Sequence, residues 1–321
     1  MPAVVQHLSQ LTDGIDVASV AEMQVALNTG IDPLTISFAG PGKNDTELKS
    51  AVAAGIIINM ESEEEMERIA KIGDSLALLP QVAIRVNPDF ELKTSGMKMG
   101  GGPKPFGVDA ERVPAMLQRC GELNLNFKGF HIFSGSQNLR PEAIIEAQTK
   151  TFALAYRLAE FAPQPITWLN IGGGLGIPYF PGEETLPLEA IADNLKPLIS
   201  EAQTHLPEAE IVMELGRYFV GEAGLYVSEV VECKESRGEK FAITNGGLHH
   251  HLSASGNFGQ IIRKNYPVCV ANRVCSDSEE KVSVVGPLCT PLDIIADKML
   301  LPSIKAGDLI AVYQSGAYGF T

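Results

Sequence analysis

The chain has 321 residues, 45% of them hydrophobic and 20% charged, with a formal net charge of -14. That is the balance of a protein that buries a core, long enough for one large domain or two ordinary ones. The negative charge argues against nucleic acid and anionic membrane as partners, since both need a cationic surface.

Five cysteines (Cys120, Cys233, Cys269, Cys275 and Cys289) without a CxxC pair read as reduced thiols of a cytoplasmic protein. No apolar run approaches the length of a membrane span. The first residues lack the basic flank and apolar core of a signal peptide.

In chain order, a helical stretch over 2–11 opens the sequence. Short apolar strands then alternate with amphipathic helices. The first strand is expected at 14–18, with Ser19 capping a helix that begins near Glu22. Strands follow at 34–39, at 55–60 with its helix at 61–72, and at 81–87. An irregular loop over 89–106 leads to strand 127–132, which runs into His131-Ile132-Phe133-Ser134-Gly135-Ser136. The sixth strand is 165–171, and the seventh, 209–214, enters Leu215-Gly216-Arg217. This alternation predicts a parallel sheet with helical crossovers.

Polar residues stand at the C-terminal tips of these strands: Asp16, Arg85, His131, Asn170 and Glu214. A (β/α)8 barrel assembles its site on such tips, whereas a doubly wound sheet gathers ligands at one switch point. Seven strands are one short of a closed barrel, so a further strand is expected upstream. After Glu222 the pattern changes to strands at 225–232, 240–244, 281–285 and 308–313 without helices between them. The expected division is therefore a barrel over 1–221 and an all-β sandwich or barrel domain over 222–321.

The strand at 165–171 breaks into Gly172-Gly173-Gly174, followed by Gly176, Pro178 and Gly182-Glu183-Glu184. Three glycines make a tight turn or a working loop, and the length of this one favours the loop. Bare N–H groups at consecutive glycines form an anion nest suited to a phosphate. With Arg217, His131 and Glu214 at neighbouring tips, the set describes a pocket for a phosphorylated heteroaromatic cofactor. A carboxylate facing a pyridine nitrogen keeps that nitrogen protonated and makes the ring an electron sink. Taken singly, His131 would more often be a core histidine, Glu214 and Arg217 a salt-bridged pair, Cys289 a buried filler and Tyr318 ordinary packing. Their joint placement on successive tips favours the pocket.

In these motifs the chain resembles the fold-type III pyridoxal-phosphate decarboxylases, the group of ornithine and diaminopimelate decarboxylases, over essentially its whole length. The resemblance implies that Gly172, Gly173, Gly174, Gly216 and Arg217 hold the cofactor phosphate, with Ser134 or Ser136 reaching the same region. It also implies that Glu214 pairs with the ring nitrogen and that His131 stacks on the ring. Asp16, Glu22 and Arg85 match a charged network near the lysine that carries the cofactor. Cys289, in Gly286-Pro287-Leu288-Cys289, resembles the cysteine that reprotonates Cα across a dimer. Tyr318, in Gly316-Ala317-Tyr318-Gly319, resembles the tyrosine that touches the phosphate. The last two imply a homodimer with shared sites.

The sequence departs from that pattern in two ways. The lysine falls before Met1, and Lys43, Lys98 and Lys104 do not match its position. The chain is therefore expected to be a fragment, inactive by itself and also lacking the outer ends of the β domain. Thr290 follows Cys289 where diaminopimelate decarboxylases have an acid, and Asn245 stands where ornithine decarboxylases have an aspartate.

Segments 98–101, 247–251 and 265–267 look more like the butirosin-pathway decarboxylase of carrier-protein-bound glutamate and the exosortase-associated decarboxylases. They put Asp293 and His249 at the substrate. The histidines at 249–251 are not expected to bind metal, because consecutive strand residues point to opposite faces. Two alternatives remain: an amino-acid racemase on the same fold, which Glu214 opposes, and a non-catalytic cofactor-binding homologue.

Overall fold

Short strands that are apolar on both faces, each followed by a helix, have one economical arrangement: a parallel sheet shielded by its own crossovers. The computed structural model describes residues 1–91, 97–98, 100–256, 263–274 and 280–319. Met99 of the 98–101 segment, Cys275, Phe320 and Thr321 lie outside the described residues. The chain divides into two compact units, Met1–Gly174 with Pro187–Glu214, and Leu175–Leu186 with Leu215–Thr321. The expected division at 221/222 differs from this at both ends: the 175–186 excursion and the segment after Glu214 belong with the second unit.

In the first unit, α1 (Pro2–Leu8) and β1 (Ile15–Val17) precede α2 (Val20–Leu27), β2 (Ile36–Phe38) and α3 (Asp45–Ala54). Then come β3 (Ile57–Met60), α4 (Glu63–Leu76), β4 (Gln81–Asn87), the short β5 (Met97–Lys98) and β6 (Val108–Asp109), and α5 (Val113–Glu122). The unit continues through β7 (Asn126–Ile132), β8 (Gly135–Ser136), α6 (Pro141–Ala159), β9 (Trp168–Gly173), α7 (Leu188–His205) and β10 (Glu210–Glu214).

Seven strands pair in the order β1-β2-β3-β4-β7-β9-β10, all parallel. The tip of β1 meets the tips of β9 and β10 from the far end of that order, through Asn170 to Asp16 at 3.5 Å and a direct Asp16–Glu214 interaction. The sheet is thus a nearly closed barrel. The sixth strand begins at Trp168 and not at 165 because Pro165 brings no N–H to the ladder; it runs on into the glycines. Ser19 caps α2 as expected, its Oγ accepting from Glu22 N at 3.2 Å.

The barrel interior is layered. Ile57, Ala83 and Trp168, with Val212 against them, form an apolar floor. Side chains on one face of a strand recur every second residue. Two positions further along those strands stand Asn59, Arg85, Asn170 and Glu214, and β7 adds His131, in register with both Arg85 and Asn170. A polar layer therefore lies directly above the apolar one.

The second unit holds α8 (Gly216–Val220), β11 (Tyr226–Ser236), β12 (Glu239–Thr244), β13 (Val268–Val270), β14 (Glu280–Val285), β15 (Ile294–Leu301) and β16 (Leu309–Val312). Its sheet runs β13-β16-β11-β12-β14-β15. Arg237 and Gly238, at φ +54° and +81°, turn β11 into β12 as a two-residue hairpin. Strands β13 and β15 were not expected: β13 has three residues after a proline. The alternation of β15 is interrupted at Lys298 (φ +49°), where the register with β14 shifts. Among the described residues, no helix is long and apolar enough to cross a membrane.

Candidate active site

The polar layer of the barrel is a connected network. Glu214 Oε1 lies 3.3 Å from His131 Nε2, while His131 Nδ1 is buried with no hydrogen-bond partner among the described residues. Asp16 accepts a short hydrogen bond from Ser37 Oγ, which also accepts from Asn59 Nδ2 at 3.1 Å. Asn170 Nδ2 points to Asp16 at 3.5 Å, and its Oδ1 accepts from Gly172 N at 2.8 Å. One asparagine thus ties the glycine loop to the acid pair.

Two carboxylates at one spot cannot both hold a charge cheaply. Burial, and then the charge of Glu214, push Asp16 up from its ordinary 3.8 to about 7. Burial would also raise Glu214, but His131, the bond to Asp16 and Arg85 outweigh it and lower it to about 2. Glu214 is therefore the ionised member and Asp16 the one that takes up a proton.

Arg85 is held by Glu61, whose Oε1 accepts from Arg85 Nη1 at 2.9 Å and from Gly40 N at 2.7 Å. Glu61 Oε2 accepts from Gly107 N at 2.7 Å, and Glu65 accepts from Glu61 N at 2.6 Å. Lys43, 3.0 Å from Glu65 and buried, also donates to the Gly40 carbonyl. The sequence pattern places Glu61 as the first residue of a helix, whereas the helix begins at Glu63. The position of Glu61 directly after β3, the same tip position as the other polar residues, was the available signal.

The glycine loop adjoins this layer. Gly173 of β9 is in register with Glu214 of β10, and neighbouring strands stand about 4.8 Å apart. Gly172 and Gly174 have φ of +71° and +77°. A Cβ on Gly174 would come 2.1 Å from Gly135 O, and one on Gly172 would come 2.8 Å from Phe133 Cδ2. Only glycine fits both conformation and space here. The three bare N–H groups expected are reduced by one, since Gly172 N is spent on Asn170. Ser134, Asn138 and Gln148 line a cavity of about 20 Å³ beside the glycines, room for a water-sized group. Asn138 Nδ2 and Gln148 Nε2 are buried without acceptors among the described residues, and the sequence offered no sign of either.

Of the remaining expected residues, Glu22 is exposed and accepts from Ala18 N at 2.6 Å, closing the cap on α2 instead of joining Asp16. In the second unit Arg217 sits 4.4 Å over the Tyr318 ring and donates to Tyr179 Oη at 2.8 Å. Nothing lies within 4 Å of a Cβ built on Gly216, so that backbone is open. The Tyr318 turn (φ +54°) is held by Ser253 Oγ, which donates to the Tyr318 carbonyl. His251, fully buried, lies 2.8 Å from Ser315 Oγ.

The three histidines lie in a turn after β12 and not on a strand. His249 is exposed, its ring centroid 3.8 Å from that of His250 at a tilt of 43°. Asn245 is engaged with the backbone of Glu229. Cys289 is exposed on the loop between β14 and β15. Asp293, expected at the substrate, is 2% exposed, and both its oxygens accept from backbone, Leu248 N at 2.6 Å and Leu288 N at 2.8 Å. A carboxylate so engaged is a clasp between two loops.

Comparison with known proteins adds to this geometry. The model of the pyridoxal-dependent decarboxylase family's pyridoxal binding domain matches residues 1–221. L-glutamyl-[BtrI acyl-carrier protein] decarboxylase of Niallia circulans is 38% identical over 314 residues, 96% of this chain and 73% of the relative. The diaminopimelate decarboxylase of Aquifex aeolicus is 32% identical over 322 residues, 99% of this chain and 74% of the relative. The crystal structure of diaminopimelate decarboxylase from Helicobacter pylori complexed with L-lysine superposes with a TM-score of 0.84 at 29% identity, covering 99% of this chain and 77% of that one.

Proposed function

The chain belongs to the pyridoxal-dependent decarboxylases, lyases that remove the α-carboxylate of an amino acid with pyridoxal phosphate as cofactor, and from that premise we propose how its own residues serve the reaction. The cofactor supplies an electron sink for the bond pair that remains on Cα when carbon dioxide leaves. Glu214 keeps the ring nitrogen protonated, a task for an acid that stays ionised. His131 would face the ring, and its Nε2, 3.3 Å from Glu214 Oε1, holds that carboxylate in place.

Gly172, Gly173 and Gly174, with Ser134, would hold the phosphate. Two observations support the fit: the glycine cradle admits no Cβ, and buried amide donors of Asn138 and Gln148, without acceptors among the described residues, adjoin it. Asp16 and Arg85 set the charge around Glu214. Cys289, from the second copy in a homodimer, would deliver the proton to Cα.

The observation that supports this reading most is the register of Glu214 with Gly173, which puts an ionised acid one strand away from the phosphate cradle. Glu214→Gln in the complete protein is the test. It should lower kcat by about 10²-fold or more while cofactor affinity changes by less than about 10-fold. Equal losses in both would reduce Glu214 to a structural ion-pair partner.

For the substrate, we propose L-glutamate carried on an acyl-carrier protein. The relative from Niallia circulans supports this, as does Thr290 standing directly after Cys289 with no acid to clamp a distal ammonium. Carbon dioxide release from carrier-bound glutamate, free diaminopimelate, ornithine and arginine separates the candidates; release from a free diamino acid alone would refute the carrier. The enzyme acts in the cytoplasm as a homodimer with shared sites. The exposed Leu288, Leu292 and Leu300 on the same hairpin as Cys289 support a covered face there. Mixing Glu214→Gln and Cys289→Ala subunits should then regenerate activity.

A further inference from the structure

The loop that carries Cys289 is a connection of eight residues, 286–293, between the antiparallel strands β14 and β15. A loop of this length has no ladder of its own, so its shape depends on what fastens it. Gly286 N donates to Asp293 O at 2.9 Å, Thr290 N to Leu288 O at 2.8 Å and Asp293 N to Thr290 O at 3.2 Å. Asp293 lies at the centre. Its Oδ2 accepts from Leu288 N, the residue before Cys289, and its Oδ1 reaches a different loop at Leu248 N.

The local sequence makes room for this carboxylate. A Cβ on Gly247 would stand 2.2 Å from Oδ1, and one on Gly286 would stand 2.3 Å from Oδ2. The acid is thus sandwiched between two backbones where only glycine fits. A buried carboxylate must be paired to keep its charge. Here the pairing is with two backbone N–H groups at 2.6 and 2.8 Å, the short range of charge-assisted bonds. The turn it grips, through Leu248, is closed by His250 N and His251 N on Gly247 O at 2.9 and 3.0 Å.

From this geometry we infer that Asp293 is a positioning residue for the protonation step: it fixes the backbone next to Cys289 so that the thiol is presented to Cα from one direction. The inference rests on the reading of Cys289 as the proton donor. It replaces the expectation that Asp293 binds substrate.

Asp293→Asn keeps the shape but offers one acceptor and one donor group, so one of the two N–H groups loses its partner. In deuterium oxide the unaltered complete enzyme should place solvent deuterium on one face of Cα. Asp293→Asn should scramble that label and lower kcat by about 10²-fold, the effect of displacing a reacting group by about 1 Å, with KM unchanged. A purely structural loss of folded enzyme would lower the yield and leave the stereochemistry intact. Raised KM with retained kcat, or unscrambled label, would overturn the assignment.

Hydrogen exchange gives a readout free of turnover. The amides of Leu248 or Leu288 should exchange at least about 10-fold faster in Asp293→Asn, and unchanged protection of both refutes the clasp. Should Asp293→Asn yield no folded protein, Gly247→Ala retains the acid and displaces it, with the same expected scrambling. Cys289→Ala separates the two claims. If it preserves stereospecific labelling, Cys289 is not the donor and the underlying reading fails, while the exchange measurement still judges whether Asp293 fastens the loop.

Discussion

Gly174→Ala puts the glycine cradle to a quantitative test. The residue sits at φ +77°, where an alanine costs roughly 1–2 kcal/mol. Its new Cβ would lie 2.1 Å from Gly135 O, a backbone atom that cannot swing aside. Gly135 belongs to β8, paired with β5, and Gly174 O itself accepts from Asn138 N at 2.9 Å. Overpacking against fixed backbone adds about 1–3 kcal/mol.

A total near 3 kcal/mol predicts a fall in Tm of about 6–12 °C for a unit of about 200 residues. If the loop yields instead, the same energy appears as about 100-fold weaker cofactor binding. Trp168, the chain's one tryptophan, lies on the strand that leads into the loop. Quenching of its fluorescence during titration with pyridoxal phosphate, beside a thermal melt, measures both outcomes. Gly30→Ala is the control, with φ +82° and nothing within 4 Å of its Cβ. It should lose only the conformational part, about 1–2 kcal/mol, and leave binding alone. A Gly174→Ala protein that behaves like Gly30→Ala would refute the argument.

Two further perturbations probe the charge network. The folded chain holds a proton on Asp16 that the unfolded chain releases between about pH 4 and about pH 7, so this contribution to stability falls as pH rises through that window. Glu214 acts in the opposite sense, contributing above about pH 4.5 and losing that contribution as pH falls toward about 2. Urea midpoints measured against pH should lose the first slope in Asp16→Asn, and an unchanged slope would contradict the assignment. Lys43→Met leaves Glu65 buried and unpaired, at a cost of about 3–5 kcal/mol. The double variant with Glu65→Gln keeps an acceptor for Glu61 N and should recover most of that loss, as a denaturation curve would record.

The barrel was legible because its signal is coarse: seven apolar runs with polar residues at one end, and the run 81–87 matches β4 residue for residue. The site was legible where chemistry and position coincide, as at His131, Glu214 and the glycines. It was not legible where a side chain's partner lies far along the chain. Glu22 carries the right charge in the right motif, yet a local N–H four residues back takes its carboxylate. Asp293 follows a reactive-looking cysteine, yet the backbone of Leu248, 45 residues away, claims it. Asn138 and Gln148 have nothing in their neighbourhood to mark them. Only the folding of α6 and its preceding loop beside β9 brings them to the glycines. The strands β13 and β15 are not visible in the sequence because a proline and a bulge break the periodicity that reveals strands.

The chain passes between its two compact units three times, at 174/175, 186/187 and 214/215. A polypeptide laced in this way has no single scissile point that would release either half. A nick in the 175–186 excursion leaves the halves joined through 214/215, and a nick at 214/215 leaves them joined through the excursion. Truncation at the end of β10 would strip Ile177 and Tyr179 of their apolar neighbours Val230, Tyr266 and Val268, and so leave a greasy strap in the truncated chain. Anyone wishing to graft this barrel onto another partner must therefore replace the strap together with everything beyond Glu214, treating a stretch in the middle of the sequence as part of its far end.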